Sequence, residues 1–499
     1  MKQAFDYTEL GNAKRFVKVV GDDYKWVPEV KGWYKWSDTL WAEDKVDSVM
    51  LEIENVLDWI NMEVNSIRDD FDVIDAHPNA RVKDSMEFDK RKATLEELRA
   101  AWSWHQRSQS ARSIREMINL AKSQKGMTSM ITDFDSKGHY IGCVNGIVDL
   151  RNGDLIVNDK SYLITKSVNV EYDSNASCEL WECQLLKYMS GNDEYARFLQ
   201  VLLGSALVGQ KSKWFTMFYG EKGGNGKSTI VDTISAILGE YAKVGDPKVL
   251  LGGHGNKSEY YLASFKGTRF LIFNESDKED VQMSEHLIKM VTDSGEVQAR
   301  HPAGRPFEYQ PVFTPVFCVN HLPTVSMDPA VWRRLLILPF DYQIPIEDQD
   351  SGFVDRLVKT EGSGILKWLV EGAIEFLKDG LNPPVTLKAE TQELRNAGDT
   401  LTQFIDQKCT ITDDPEDRVK LNDLRKLYIT WLMDEGYKKA PASQRFARDL
   451  RDCGFEVKMS SGHQNWVYGI KDSKVLYTVK PQSKIDEFTE LFDGIGGES

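Results

Sequence analysis

One stretch constrains this chain more than any other. Trp214-Phe215-Thr216-Met217-Phe218-Tyr219 reads as a strand and runs directly into Gly220-Glu221-Lys222-Gly223-Gly224-Asn225-Gly226-Lys227-Ser228-Thr229. Behind it Ile230, Val231, Ile234 and Leu238 keep helical spacing. In a strand, glycine loop and helix of this kind the backbone bends until several N–H groups point inward at a phosphate. The N-terminus of the helix adds a favourable field there. Lys227 supplies the counter-charge and Ser228 a magnesium ligand. Gly220, Gly223, Gly224, Asn225, Gly226 and Thr229 complete the expected cradle. The strict G-x-x-x-x-G-K-[ST] spacing puts a glycine at 221, where this chain has Glu221 and carries Gly220 one residue earlier. The loop is therefore expected to be one residue longer than usual.

Hydrolysis of a bound nucleotide also needs a carboxylate at a neighbouring strand end. Arg269 to Phe273 followed by Asn274-Glu275-Ser276-Asp277 fits, with Glu275 lying 48 residues after Lys227. Glu275 is the candidate to polarise water and bind metal, Asn274 takes the metal-side position before it, and Asp277 is an alternative acid. A third apolar run, Val316 to Val319, ends at Asn320, whose amide can bond both a γ-phosphate and the attacking water. Arg333 and Arg334 precede a further strand, Leu335 to Leu338. A guanidinium there can reach the γ-phosphate of a neighbouring subunit.

The chain has 499 residues, a length that corresponds to about three domains at roughly 150 residues each. With 62 Lys+Arg against 77 Asp+Glu the net charge is -15, so any nucleic-acid contact must be a local basic stripe. Residues 1–100 hold 15 basic and 22 acidic side chains and are expected to be an architectural accessory region. There Trp26, Trp33, Trp36 and Trp41 suggest a small antiparallel sheet with aromatic cross-strand pairs, a packing cluster in preference to a base-stacking platform. Helical spacing runs from about Asp47 to Leu120, and an Asn152-Gly153 hairpin is expected within 140–172. Helix returns from about Glu179 to Val208 as the end of a second region, 101–210. From Trp214 to about Asp341, within a third expected domain at 211–382, apolar runs alternate with helical patterns as in a parallel α/β unit. Asn382-Pro383-Pro384 marks a linker, and 383–499 ends in two amphipathic helices and a hairpin, the order of a winged helix. Residues 440–484 hold eight basic and four acidic side chains, a local reversal suited to duplex DNA. Arg445, Arg448 and Arg451 share one side of the second helix; Lys458 and His463 lie on the wing. The six cysteines have no zinc-ribbon spacing, so reduced thiols and no structural zinc are expected. No run of about 18 apolar residues and no signal-peptide core is found, which points to a soluble cytoplasmic protein without membrane contact.

With these residues in hand the chain resembles the superfamily 3 helicases, specifically the helicase half of the phage and plasmid primase-helicases, and also the helicase-primases of large DNA viruses. The motifs that carry the resemblance are GEKGGNGKST, RFLIFNES, LIKMVTDSGEVQARHPAGRPFEYQP, FCVNHLP and VWRRLLILPF in that order, with VNGIVDLRNGDL and LLGSALVG upstream. It implies an α/β fold: a P-loop NTPase core, AAA+-like with a parallel sheet, between a mixed helical N-terminal region and a C-terminal winged helix. It further implies an ATP- and Mg2+-dependent DNA helicase for phage or plasmid replication, assembled as a ring, often a hexamer, moving 3′ to 5′ on single strands. The family's DNA-tracking hairpin maps onto 296–309, with Arg300, His301 and Arg305 as backbone contacts. Asn274 departs from the usual acid, and Thr292-Asp293-Ser294-Gly295 from the family's Thr-Gly-Gly-Asp-like element. No primase centre is visible, so a separate primase or polymerase is the expected partner, in a bacterial host cytoplasm. Two alternatives remain: a P-loop kinase or a DNA motor that does not unwind, and an origin-binding initiator that uses nucleotide as a switch.

Overall fold

The structure is a computed structural model that describes residues 5–247, 258–275, 283–292, 295–300, 306–323, 328–398, 400–412, 414, 417–435, 443–459 and 464–472. The chain divides into two compact units, 1–174 and 175–499. The helix Met86–Ser108 runs unbroken through the boundary expected at residue 100.

The first unit opens with a helix, Glu9–Val20, that the sequence reading did not anticipate; its N-terminus is capped by Thr8, whose hydroxyl accepts from the Gly11 amide at 3.0 Å. Three antiparallel strands follow, β1 (Tyr24–Val27), β2 (Gly32–Trp36) and β3 (Trp41–Glu43). Their register sets Trp26 opposite Trp33 and Trp36 opposite Trp41, with ring centroids 5.4 Å and 5.9 Å apart. Trp33 and Trp41 are buried in two separate core clusters, with Trp26 packed against the first and Trp36 against the second, so the four tryptophans are packing residues. Helices Glu52–Asp75, Met86–Ser108 and Ala111–Lys122 cover the expected helical stretch. Next come β4 (Tyr140–Cys143), β5 (Gly146–Asp149) and β6 (Asp154–Ile156), the last two joined through Gly153 at φ +79°.

The second unit is built on five parallel strands: β7 (Phe215–Tyr219), β8 (Ala242–Gly245), β9 (Phe270–Asn274), then β12 (Thr314–Val319) and β13 (Leu335–Pro339). Between β9 and β12 in the chain lies the separate hairpin β10 (Val297–Arg300) and β11 (Pro306–Tyr309). The sheet order is β13-β7-β12-β9-β8. Strands covered on both faces read as apolar runs instead of alternating, which is why FTMFY, FLIFN, TPVFCV and LLILP stood out in the sequence. On one face Phe215, Met217, Leu271, Phe273, Phe317 and Ile337 join the hairpin's Val297, Ala299 and Tyr309 in a single core cluster. On the other lies the helix Lys227–Leu238, and Ser205, at the end of the helix Asp193–Ser205, bonds Thr314 at 3.0 Å.

The expected helix from Glu179 to Val208 is two helices, Glu179–Tyr188 and Asp193–Ser205, broken at Ser190 and Gly191, both at positive φ. The long helix Phe353–Asp379 packs on the second of them through glycines. A Cβ on Gly204 would lie 2.5 Å from the Ala373 nitrogen, and one on Gly372 2.3 Å from the Gln200 carbonyl oxygen. Nor is the segment after Pro384 a linker. The helix Val385–Gly398 covers the exposed edge of β13, and Thr391 Oγ1 accepts the Ile337 N–H at 3.1 Å. An edge strand leaves such groups unpaired unless something covers it.

Farther on, β14 (Cys409–Ile411) pairs with β18 (Ile470–Asp472), and β15 (Arg418–Lys420), β17 (Asn465–Tyr468) and β16 (Glu456–Met459) form a three-stranded sheet. The two amphipathic helices expected there are Leu421–Asp434 and Ser443–Asp452. They share a core with Phe404, Tyr428, Trp431, Phe446 and Val467. No helix among the described residues is long and apolar enough to cross a membrane.

Replacing Gly204 by Val should lower stability by about 1–3 kcal/mol, because neither backbone can yield to the added methyls. A denaturation midpoint unchanged from wild type would show that the two helices are not in contact at that position.

Candidate functional site

Gly226 ends the glycine loop at φ +87°, and a Cβ there would meet the Tyr188 ring at 2.6 Å. Only glycine turns the chain into the helix at Lys227 with that ring beneath it. Gly220 is equally confined, since a Cβ would approach the Phe340 carbonyl oxygen to 2.8 Å. The early glycine is thus the one the loop needs, and the spacing to Lys227 is one residue longer than the common pattern.

The Lys227 side chain is 7% exposed. Its ammonium donates to the Gly220 carbonyl at 2.9 Å, to Asn225 Oδ1 at 3.3 Å and to Asn320 Oδ1 at 2.9 Å. Burial pushes its pKa below the usual lysine range, with the nearby Glu275 carboxylate among the groups that oppose the shift. Asn225 in turn donates to the carbonyls of Phe340 at 2.8 Å and Tyr342 at 3.0 Å. Gln343 Nε2 reaches the Gly223 carbonyl at 2.6 Å, and the Ile344 amide the Gly224 carbonyl at 2.9 Å. The segment beyond β13 therefore clamps the outside of the loop.

Glu275 stands just past β9, its amide donating to the Cys318 carbonyl at 2.9 Å. Its carboxylate accepts the Asn320 amide and, at 3.3 Å, the His321 amide. The acid is consequently held at the tip of β12, the strand between its own and the loop's. Asn274, also at this end of the sheet, is exposed.

A cavity of about 830 Å³ opens over the loop. It is lined by residues 223–229 and Asn320, and also by Lys187, Tyr188, Tyr342 and Phe353. The size is what a phosphorylated nucleoside needs, within the roughly 300–1,000 Å³ common for small-ligand sites. Sequence reasoning found the loop side and missed the wall. Tyr188 belongs to a helix far back in the chain and Tyr342 to the segment after β13, and neither carries a local signal. Arg333 is exposed, Arg334 donates to the Ala330 carbonyl, and neither lines the cavity.

Of the remaining expected residues, those that are described do not line the cavity. Arg300 is exposed on the outward side of β10, and His301, Arg305, Asp277, Asp293, Ser294 and His463 lie outside the described residues. In the C-terminal part Arg451 is exposed, the side chains of Arg445 and Arg448 are likewise undescribed, and Lys458 pairs with Glu456 at 2.5 Å. Among the described residues no three His, Cys, Asp or Glu side chains gather as a metal cluster.

Comparison with known proteins matches residues 13–189 to the D5 N terminal like family and residues 218–334 to a family of unknown function, DUF5906. A protein of Acanthamoeba polyphaga mimivirus named "Putative helicase L207/L206" is 24% identical over 390 residues, 74% of this chain and 39% of that protein. Over those stretches the chain is similar to the D5 N terminal like family and to that helicase. It spans about two fifths of the length of that mimivirus protein. Two solved apo structures of the NrS-1 C terminal region are 11% and 13% identical, each over 72% of this chain and over 90% and 89% of theirs, both with a TM-score of 0.39. The resemblance to primase-helicases read from the five motifs is supported by the D5 N terminal like match and by the mimivirus relative.

Asn225→Ala should cost about 1–3 kcal/mol, since it strips the donor from two carbonyls and an acceptor from a buried ammonium. Chemical denaturation checks it, and a stability equal to wild type would mean that the loop is anchored elsewhere.

Proposed function

We propose that the chain is an ATP-dependent DNA helicase of replication. It works as a ring, often a hexamer in this family, with ATP hydrolysed between subunits and one strand drawn through the pore 3′ to 5′. The observation that carries this reading is the buried Lys227 ammonium at the floor of a nucleotide-sized cavity, linked through Asn320 to Glu275.

In this reading the fold is a P-loop NTPase core followed by a winged helix. The loop amides and Lys227 hold the β- and γ-phosphates, with Gly220, Gly223, Gly224, Asn225, Gly226, Ser228 and Thr229 shaping the cradle. Magnesium brought in by a nucleotide keeps phosphate and water ligands and needs only one or two from protein. The Ser228 hydroxyl and Glu275 fit that small requirement, and the metal would neutralise charge on the phosphates. Glu275, fixed by two backbone amides, orients the attacking water, and Asn320 reports on the γ-phosphate. Arg333 and Arg334, absent from their own subunit's cavity, suit a role at a neighbour's γ-phosphate. Arg300, with His301 and Arg305, would track single-stranded DNA from the hairpin. Arg445, Arg448 and Arg451 would meet duplex DNA, and a separate primase or polymerase would prime synthesis.

Lys227→Ala should abolish magnesium-dependent ATP turnover measured with single strands present, while the fold persists by circular dichroism; retained turnover would sink the reading. Arg333→Ala or Arg334→Ala should be inactive alone. Mixed with inactive Lys227→Ala, the variant of a true trans-acting arginine should recover part of the activity through interfaces that pair an intact loop with an intact arginine. No recovery for either would place both arginines in their own subunit's chemistry. Arg300→Ala should remove the stimulation of turnover by single strands, and stimulation equal to wild type would exclude this hairpin as the tracking element.

A further inference from the structure

The sheet β15-β17-β16 has two unlike faces. Val419, Val457 and Val467 point into the core shared with the helix Ser443–Asp452. The alternate residues point the other way, since successive side chains on a strand take opposite faces. In β17 these are Trp466 and Tyr468, both half-buried. The register puts Lys420 and Lys458 on either side of Trp466, and Arg418 and Glu456 on either side of Tyr468. The cations lean over the rings: Arg418 is 4.9 Å from the Trp466 centroid and 5.9 Å from that of Tyr468. Lys420 is 5.7 Å from Trp466, and Lys458 is 5.9 Å from Tyr468. Three exposed cations against one acid therefore frame two aromatic rings, in a chain whose net charge is -15.

We propose that this outer face is a binding platform for single-stranded DNA, separate from the arginine helix that packs on the opposite face of the sheet. Two features select the ligand. The local positive charge suits a phosphate backbone. The ring pair suits unpaired bases, because a duplex presents phosphates and groove edges but keeps its π-faces stacked inside. Alternate residues on a strand stand roughly 7 Å apart, about twice the ~3.4 Å between stacked bases. Each ring thus takes one base from a strand already unstacked, with the Arg418 guanidinium offering a further planar surface. Lys458 then serves the single strand instead of the duplex.

The platform needs neither ATP nor the pore hairpin, so its test separates from that of the motor. Fluorescence anisotropy of the full chain without nucleotide, in wild-type and Arg300→Ala backgrounds, would follow a labelled thymidylate strand of about 20 nucleotides, enough to span one such site. An abasic strand and a duplex of equal length are the comparisons. Trp466→Ala should weaken thymidylate binding about tenfold or more, Trp466→Phe should restore most of it, and the abasic and duplex affinities should stay as in wild type. Lys420→Gln with Lys458→Gln, a surface pair that spares the core, should lower the salt dependence of thymidylate binding by roughly one to two phosphates' worth. Equal losses on thymidylate and abasic strands would overturn stacking. Wild-type thymidylate affinity in Trp466→Ala, or wild-type salt dependence in the lysine pair, would overturn the platform. Loss of ATP turnover in Lys227→Ala bears only on the motor.

Discussion

A single ammonium group joins the ends of neighbouring strands. Lys227 binds the carbonyl of Gly220 after β7, the side chain of Asn320 after β12 and that of Asn225, which holds the carbonyls of Phe340 and Tyr342 after β13. Glu275, after β9, adds the fourth strand through the Asn320 amide. A charge with this little exposure is tolerated only when it is surrounded by acceptors. Two of the acceptors are oxygens at strand tips and the third, Asn225 Oδ1, is itself tied to the segment after β13, so neutralising the charge also fixes the tips. Bonds to a charged group are stronger than neutral ones, and these four tips carry the candidate chemistry.

Parallel strands make that possible. Every strand of the sheet points the same way, so the ends that follow β7, β9, β12 and β13 emerge on a single edge, the edge outside which ligands bind in open α/β sheets. The β7–β12 pairing brings Lys227 and Asn320 together across 93 residues of sequence. The helix after the loop contributes its N-terminus, and Tyr188, beneath Gly226, closes the loop from below.

Much of this was legible in the residues. Burial on both faces forces a strand to be apolar along its whole length, so four of the five strands announced themselves, as did the loop and the acid and amide that end β9 and β12. The helices Glu9–Val20 and Val385–Gly398 did not. The first is only 12 residues long; the second covers an edge, and edge-covering is a property of the neighbour. The C-terminal strands β14, β15 and β18 have three residues each, too few for a period to register. The four tryptophans were read correctly as packing residues because cross-strand partners lie close in the chain.

The sequence by itself determined which residues can do chemistry: a lysine after glycines that bend toward it, a carboxylate and an amide at apolar strand ends, and cations in a hairpin. Those are local facts, set by backbone sterics and by side chains a few residues apart. Only the tertiary structure decided which groups meet. It placed Asn225 under the carbonyls beyond β13, fastened Glu275 to the tip of β12 and set Tyr188 against the loop. It also kept Arg333 and Arg334 out of their own cavity, and turned Trp466 and Tyr468 to one face among lysines and an arginine. Strand order and register produce these pairings, and both arise from the packing of distant segments around a shared core.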